Sequence, residues 1–332
     1  MTLFIGSVCL LLITEVCQGS IIPTFELSNG NRIPAIGLGT FLLSGEQVDP
    51  AITAALENGY RYIDAAFLYN NEPEIGKALK KWLDNGGNRE DLFLLSKLPI
   101  SAMRPSDVTE ALELTLKNLG VDYLDMYLIH VPAGIYRTAD YQMLVYDNGT
   151  YAIDNSTDLL AVWKELEKQV KSGKVKSLGF SNVNKNQILR IWENSEIKPS
   201  NLQIEINPYM RQEELINLGH KLGMVVTAES PLGSPSFEYM RRKRDLAKLP
   251  PVIGHPIVQS IAKKHNKTPA QILLRYNLQR NVVVIPKSSH PERIKENLDV
   301  FDFMLTKIDM ALLTTLDKRG RYRKYNFLTL KG

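Results

Sequence analysis

Short apolar runs alternate with longer stretches of helical period along most of the chain. The runs fall at residues 35–39, 62–66, 92–97, 126–130, 177–181, 202–207, 225–228 and 282–286. Each is nearly continuous in apolar side chains, as strands buried on both faces require. Between the runs, apolar residues recur at three-and-four spacing. Val162, Leu166 and Val170 form one such stripe, in a helix predicted to close on Gly173. Ala111, Leu112, Thr115, Leu116 and Leu119 form another, ending on Gly120. Pro269 stands where a first helical turn tolerates it. Ahead of the alternation, FELSNGNRIPAI sets two β-like runs around Asn29 and Gly30, a hairpin signal.

Eight short strands, each followed by a helix, predict an α/β chain closed into a parallel (β/α)8 TIM barrel, preceded by a β-hairpin. The rival is a doubly wound sheet, which wants a Gly-x-Gly-x-x-Gly turn after its first strand. The nearest match, Gly37-Leu38-Gly39-Thr40, lacks the third glycine and the helix start. No linker or low-complexity segment interrupts the pattern, so residues 20–332 are expected to form a single barrel domain with long substrate loops.

Composition adds the compartment. The 332 residues are 44% hydrophobic, enough for a large core, and the net charge of +4 is spread without long single-sign blocks. Nothing in that distribution calls for nucleic acid. Both cysteines, Cys9 and Cys17, lie in MTLFIGSVCLLLITEVCQGS, an apolar leader with small residues at Gly19 and Ser20. The stretch is short for a membrane span and reads as a signal peptide over residues 1–19, although it has no basic residue before its apolar core. An uncleaved anchor is the alternative. The mature chain would contain no cysteine, which suits an oxidising compartment. Three sequons agree, at Asn148, Asn155 and Asn266. The expectation is a secreted or lumenal glycoprotein with no membrane span in its mature part.

Catalytic groups of such barrels gather at the C-terminal ends of the strands. The second strand ends at Asp64, the third at Lys97 and the fourth at His130, while Tyr69 lies just beyond the second. Each has a plain structural reading, since an aspartate there can cap a turn and a lone Lys or His can sit on the surface. A lysine following FLLS, however, would be costly to bury without a partner, and Asp64 is available. The set suits proton donation to a carbonyl. A free tyrosine has a pKa near ~10, and an adjacent ammonium favours its phenolate. None of the four can furnish a hydride, so a redox cofactor is implied.

GYRYIDAAFLYNNEPEIGKAL, FLLSKL, DMYLIHVP, GFSNVNKNQI, QIEINPY, SPLGSP and IPKSSHPERIKENLDVFDF, in that order over residues 24–318, resemble the aldo-keto reductase superfamily. The resemblance implies NADPH-dependent reduction of aldehydes or ketones, with Asp64, Tyr69, Lys97 and His130 as the catalytic set and Tyr69 as the acid. It further implies that Thr40, Ser181, Asn182 and Gln203 lie about the nicotinamide. Ser230, Leu232 and Ser234 would line the pyrophosphate. Lys287, Ser288, Ser289 and Arg293 would hold a 2′-phosphate, with Glu296 and Asn297 at the adenine. Two cations and two hydroxyls near a helix start are chemically suited to a phosphate and favour NADP over NAD.

Departures from the family pattern bear on specificity. Glu229, in TAESPLG, stands where many relatives place a tyrosine against the nicotinamide ring. A carboxylate there would favour the oxidised, positively charged ring. Phe41, Pro99 and Val131 occupy positions where relatives often carry tryptophan, so a wider mouth and a bulky, steroid-like ketone are expected, unless other side chains refill the space. Residues 131–157, 235–255 and 318–332 are expected to form the rim, with the Arg241–Arg244 cluster a solvated basic patch or, alternatively, a processing site. With a leader unusual for the family, the chain is similar to secreted insect 3-dehydroecdysone 3β-reductases, which implies a 3-dehydroecdysteroid as substrate; a monomer is expected. A non-catalytic secreted carrier or regulatory protein retaining the barrel is the alternative from a different class.

Overall fold

The computed structural model describes residues 22–234 and 251–317. The expected leader, the Arg241–Arg244 cluster and the tail from residue 318 lie outside the described residues, as does most of the rim segment 235–255.

Strand β1 (Thr24–Glu26) pairs antiparallel with β2 (Arg32–Pro34) in the register Phe25 to Ile33. Gly30, at φ +84°, supplies the left-handed residue of the connecting turn. Eight parallel strands follow: β3 (Leu38–Gly39), β4 (Tyr62–Asp64), β5 (Phe93–Leu98), β6 (Met126–Ile129), β9 (Leu178–Ser181), β10 (Asn201–Glu205), β11 (Val225–Glu229) and β12 (Val282–Val284). A small antiparallel hairpin, β7 (Gly134–Ile135) with β8 (Ile153–Asp154), lies within the segment after β6. Each strand core falls inside or within a residue of its predicted run.

The sheet curls until its ends meet. Ile36 bridges Val284 in parallel, Gly37 N–H donates to Val284 O at 2.9 Å, and Gly39 N–H donates to Pro286 O at 3.0 Å. Gly39 is needed at this seam, because a Cβ there would stand 2.8 Å from Ile285 O.

Helices α1 (Val48–Glu57), α2 (Glu72–Asp84), α3 (Pro105–Leu119), α4 (Leu159–Lys171), α5 (Lys185–Asn194) and α6 (Glu213–Lys221) form the outer layer. They are joined there by α7 (Pro256–His265), α8 (Pro269–Leu278) and α9 (Pro291–Leu298), and α10 (Lys307–Thr314) follows. The predicted stops hold: Gly120 caps α3 at φ +67°, and Gly173 at φ +79° follows α4. Pro269 opens α8 beside the capping box of Thr268 and Gln271.

Alternation along the strands sorts side chains into two cores. Ile63, Leu94, Tyr127 and Ile129 belong to the large cluster shared with the helices. Tyr62, Phe93, Leu95, Met126 and Leu128 fill the barrel lumen, which Leu27 and Ile33 of the N-terminal hairpin close from below. Continuing the lumen parity by two residues gives Asp64, Lys97 and His130. An apolar plug thus floors a polar upper layer.

Candidate active site

Asp64 is the centre of that layer. Lys97 Nζ lies 2.5 Å from Asp64 Oδ1, both side chains being almost wholly buried. The ammonium also donates to Ala65 O at 2.9 Å. On the other carboxylate oxygen, Tyr62 Oη donates at 3.0 Å and Gln203 Nε2 at 2.7 Å. Burial drives the Lys97 pKa below its ordinary value, and Asp64 opposes that shift by favouring the charged form. Burial, followed by the Asp64 charge and hydrogen bond, pushes the Tyr62 phenol well above its ordinary value. Tyr62 therefore stays a neutral donor to the pair.

Tyr69 ends a short 3-10 turn, Phe67–Tyr69, between β4 and α2. Its ring covers the Lys97 ammonium, 5.2 Å from centroid to Nζ. It meets His130 edge to face at 5.6 Å and Phe41 at 4.9 Å. The turn is held by Asn71, which donates through Nδ2 to Thr40 O at 2.9 Å and Leu43 O at 2.8 Å. His130 is held through its backbone, since Asn182 Nδ2 donates to His130 O at 3.0 Å and to Ser181 Oγ at 2.8 Å. Asn182 takes a left-handed conformation at φ +59° to reach both. The four residues, from three neighbouring strand ends, are thus brought together.

A cleft open to solvent runs from Tyr69 and Asp64 past Thr40, Phe41 and Leu42 to Glu229, Ser230, Leu232, Ser234 and Lys287. Two features, one on the Asp64 that lines the cleft and one in the cleft itself, bear on whether a nicotinamide dinucleotide fits there. Gln203 is buried and has committed its amide donor to Asp64, yet its Oε1 has no hydrogen-bond partner. An acceptor left that way suits a carboxamide N–H. Lys287 is half-buried, and that burial lowers its pKa, a cost an anionic phosphate would offset. Beyond it, Ser288 Oγ accepts from His290 N–H at 3.1 Å ahead of α9. Ser289 is half-buried, Arg293 and Glu296 are exposed on α9, and Asn297 is buried.

The three expected substrate positions divide. Phe41 is 36% exposed and lines the cleft. Pro99 is buried, and Val131 packs with Ile100, Ala133 and Ile135, with Leu68 and Met143 against them. Aliphatic side chains from the segment after β6 thus occupy space beside Val131, in line with the refilling alternative. That segment is fastened to the barrel by Arg104–Asp154 at 2.6 Å, Arg137–Asp107 at 3.3 Å and Tyr141 Oη donating to Glu110 at 2.6 Å. Asn148, Asn155 and Asn266 are all exposed.

Sequence reasoning missed Tyr62 and gave Gln203 only half its contacts. Strand parity held the signal for both, because Tyr62 is two residues before Asp64 on the lumen side, and Gln203 shares the lumen parity of β10.

Among the described residues, no helix is long and apolar enough to cross a membrane and no cluster of His, Cys, Asp and Glu could hold a metal ion. Comparison with known proteins agrees with the geometry. The aldo/keto reductase family model matches residues 35–318. Aldo-keto reductase family 1 member A1 of Xenopus tropicalis is 44% identical over 298 residues, covering 89% of each chain. The protein of the same name from Gallus gallus is 45% identical over 300 residues, again covering 89% of each. Among solved structures, the aldose reductase of Schistosoma japonicum superposes with a TM-score of 0.82 at 43% identity, covering 90% of this chain and 94% of that one. A closed (β/α)8 barrel, a buried carboxylate–ammonium pair beneath a tyrosine, and similarity across nearly the whole described chain lead to one conclusion: this protein belongs to the aldo/keto reductase family of oxidoreductases.

Proposed function

We infer that this chain is an NADPH-dependent carbonyl reductase in which Tyr69 protonates the oxygen of a ketone or aldehyde. The observation that carries the reading is the buried Lys97–Asp64 pair, 2.5 Å apart, directly under the Tyr69 ring. An ammonium in that place stabilises the phenolate left when Tyr69 gives up its proton, and lowers the barrier to that transfer. Asp64 keeps the ammonium charged against burial, and Tyr62 and Gln203 orient Asp64. His130, edge-on to Tyr69, is placed to orient the carbonyl oxygen. A reduced nicotinamide, when bound, supplies the hydride that no side chain can. Gln203 Oε1 with Asn182 and Ser181 would hold its carboxamide, Lys287 with Ser288, Ser289 and Arg293 a 2′-phosphate, and Glu296 and Asn297 the adenine.

A bulky, steroid-like ketone such as a 3-dehydroecdysteroid is the proposed substrate. Support comes from the apolar cleft mouth, where Phe41 is 36% and Leu42 47% exposed, with Pro231 and Leu232 opposite. The location proposed is the secretory pathway, supported by the leader and by three exposed sequon asparagines. Loss of NADPH absorbance across a panel of aldehydes, sugars and steroid ketones tests the reading. Turnover fastest on steroid ketones supports it, and preference for small aromatic aldehydes removes the substrate assignment. Tight ligand binding with no turnover would favour the carrier.

A further inference from the structure

Glu72 is a buried carboxyl for which the chemistry above has no use. It is the first residue of α2, three positions after Tyr69, and is 1% exposed. It lies outside the barrel wall, on the far side of β5 from the substrate. Ser96 Oγ donates to its Oε1 at 2.6 Å, and Asn118 Nδ2 of α3 approaches Oε2 at 3.4 Å. Ser96 immediately precedes Lys97, so the contact ties the end of the Tyr69 turn to the strand that carries the ammonium. Asn71 makes the matching tie on the other side, to Thr40 O and Leu43 O. Tyr69 is therefore suspended between β3 and β5 by two adjacent buried side chains.

The tie carries charge as well as position. Lys97 feels two carboxylates, Asp64 from inside the barrel and Glu72 through the wall. The groups facing Glu72 are Ser96 and Lys97 on β5, Tyr127 on β6, and Thr115 and Asn118 on α3. Those facing Tyr69 and Lys97 from within are Asp64, Tyr62 and His130. Burial raises the Glu72 pKa to about 7, against the pull of Ser96, Asn118, Thr115 and Lys97. Above that pH the Glu72 carboxylate is charged.

We propose that Glu72 is a positioning residue for the reductase chemistry, tethering Tyr69 to the Lys97 strand through Ser96 and holding the Tyr69–Lys97 pair in its protonated state with a second buried negative charge. The inference rests on Tyr69 being the acid. A nearby anion makes loss of a proton from the pair harder, whichever member gives it up. Removing the anion must move that titration to lower pH.

The test reads Tyr69 directly, on the protein without cofactor, as the phenolate absorbance that Tyr69→Phe abolishes. Glu72→Gln, which keeps the size of the side chain and removes its charge, should lower the midpoint by about half a pH unit, the scale expected of one charge acting through a polar wall. Glu72→Asp, which keeps the charge and shortens the tether, should hold the midpoint while lowering kcat for carbonyl reduction. Ser96→Ala, the gentlest change, should move the midpoint in the same direction as Glu72→Gln and by less. A merely structural role would lower the melting temperature and leave every midpoint at the wild-type value, and that result overturns the proposal. Failure of the reductase reading is seen separately, as wild-type protein that consumes no NADPH with any carbonyl.

Discussion

Gln203 gives its amide proton to Asp64 Oδ2 at 2.7 Å while its own Oε1 stays buried and unmatched. One side chain thus fixes the proton machinery and keeps an acceptor in reserve. It fixes Asp64 from strand β10, across the barrel from β4, and its spare acceptor is the one proposed to meet a carboxamide. Gln203→Leu should therefore damage both functions. Lost hydrogen bonds of ~0.5–1.5 kcal/mol correspond to a roughly two- to thirteenfold weaker NADPH affinity. Fluorescence titration of the cofactor measures the first effect, and kcat at saturating cofactor the second. An unchanged dissociation constant would show that Oε1 is not a cofactor contact.

The Lys97–Asp64 pair should behave as a buried ion pair does. Removing one partner strands a charge, so Lys97→Met or Asp64→Leu alone should each cost ~3–5 kcal/mol. The double variant, with neither charge, should recover much of that stability and none of the activity. Thermal or urea melts of the three proteins check this, and singles that match the wild type would contradict it.

Acid stability should depend on Asp309. Its carboxyl is 2% exposed, a setting that would raise its pKa, yet hydrogen bonds from His265, Lys264 and Thr306 hold it well below the usual carboxylate range. A group depressed in the folded state contributes stability that is complete above its unfolded pKa, ~3.9, and is lost as pH falls below that value. Asp309→Asn should be less stable than wild type at neutral pH, and the gap should narrow below about pH 4. A gap independent of pH would mean that the carboxylate charge contributes nothing.

Glu72 has the opposite sign. Its pKa is raised, to about 7, so the folded state binds its proton more tightly than the unfolded chain does. Its contribution is most favourable below the unfolded value of ~4.3 and declines as pH rises to about 7. Relative to wild type, Glu72→Gln should melt at progressively higher temperature across that window and level off above it.

Glu229 ends β11 in the cleft that also holds Tyr69 and Lys287. A carboxylate there should favour the positively charged oxidised nicotinamide over the neutral reduced one. Glu229→Gln should weaken NADP binding relative to NADPH by several-fold, ~1 kcal/mol. Calorimetry with both cofactor forms measures the ratio, and a ratio equal to that of the wild type would exclude the effect.

Much of this was legible in the sequence because the barrel writes its strands as continuous apolar runs and ends them on the polar groups it needs. The eight runs, the stops at Gly120 and Gly173 and the gathering of Asp64, Tyr69, Lys97 and His130 all follow from strand and helix period. The rest depends on which strands become neighbours. Strand parity puts Gln203 in the lumen, but only closure of the barrel sets it against Asp64, 139 residues away. Glu72 reads as an ordinary acid in a first helical turn until Ser96 and Asn118 are found against it. The packing of Ile135 and Met143 about Val131 was not legible either, because both come from a segment whose course no local pattern reveals.

The central claim is that Tyr69 is the proton donor of a carbonyl reductase, and the most direct measurement is the rate of NADPH consumption by Tyr69→Phe beside the wild type, on the best ketone found. A lost general acid should lower kcat by ~10²-fold or more. The melting temperature and the NADPH dissociation constant should stay at their wild-type values. A Tyr69→Phe protein that reduces the ketone at the wild-type rate would contradict the account.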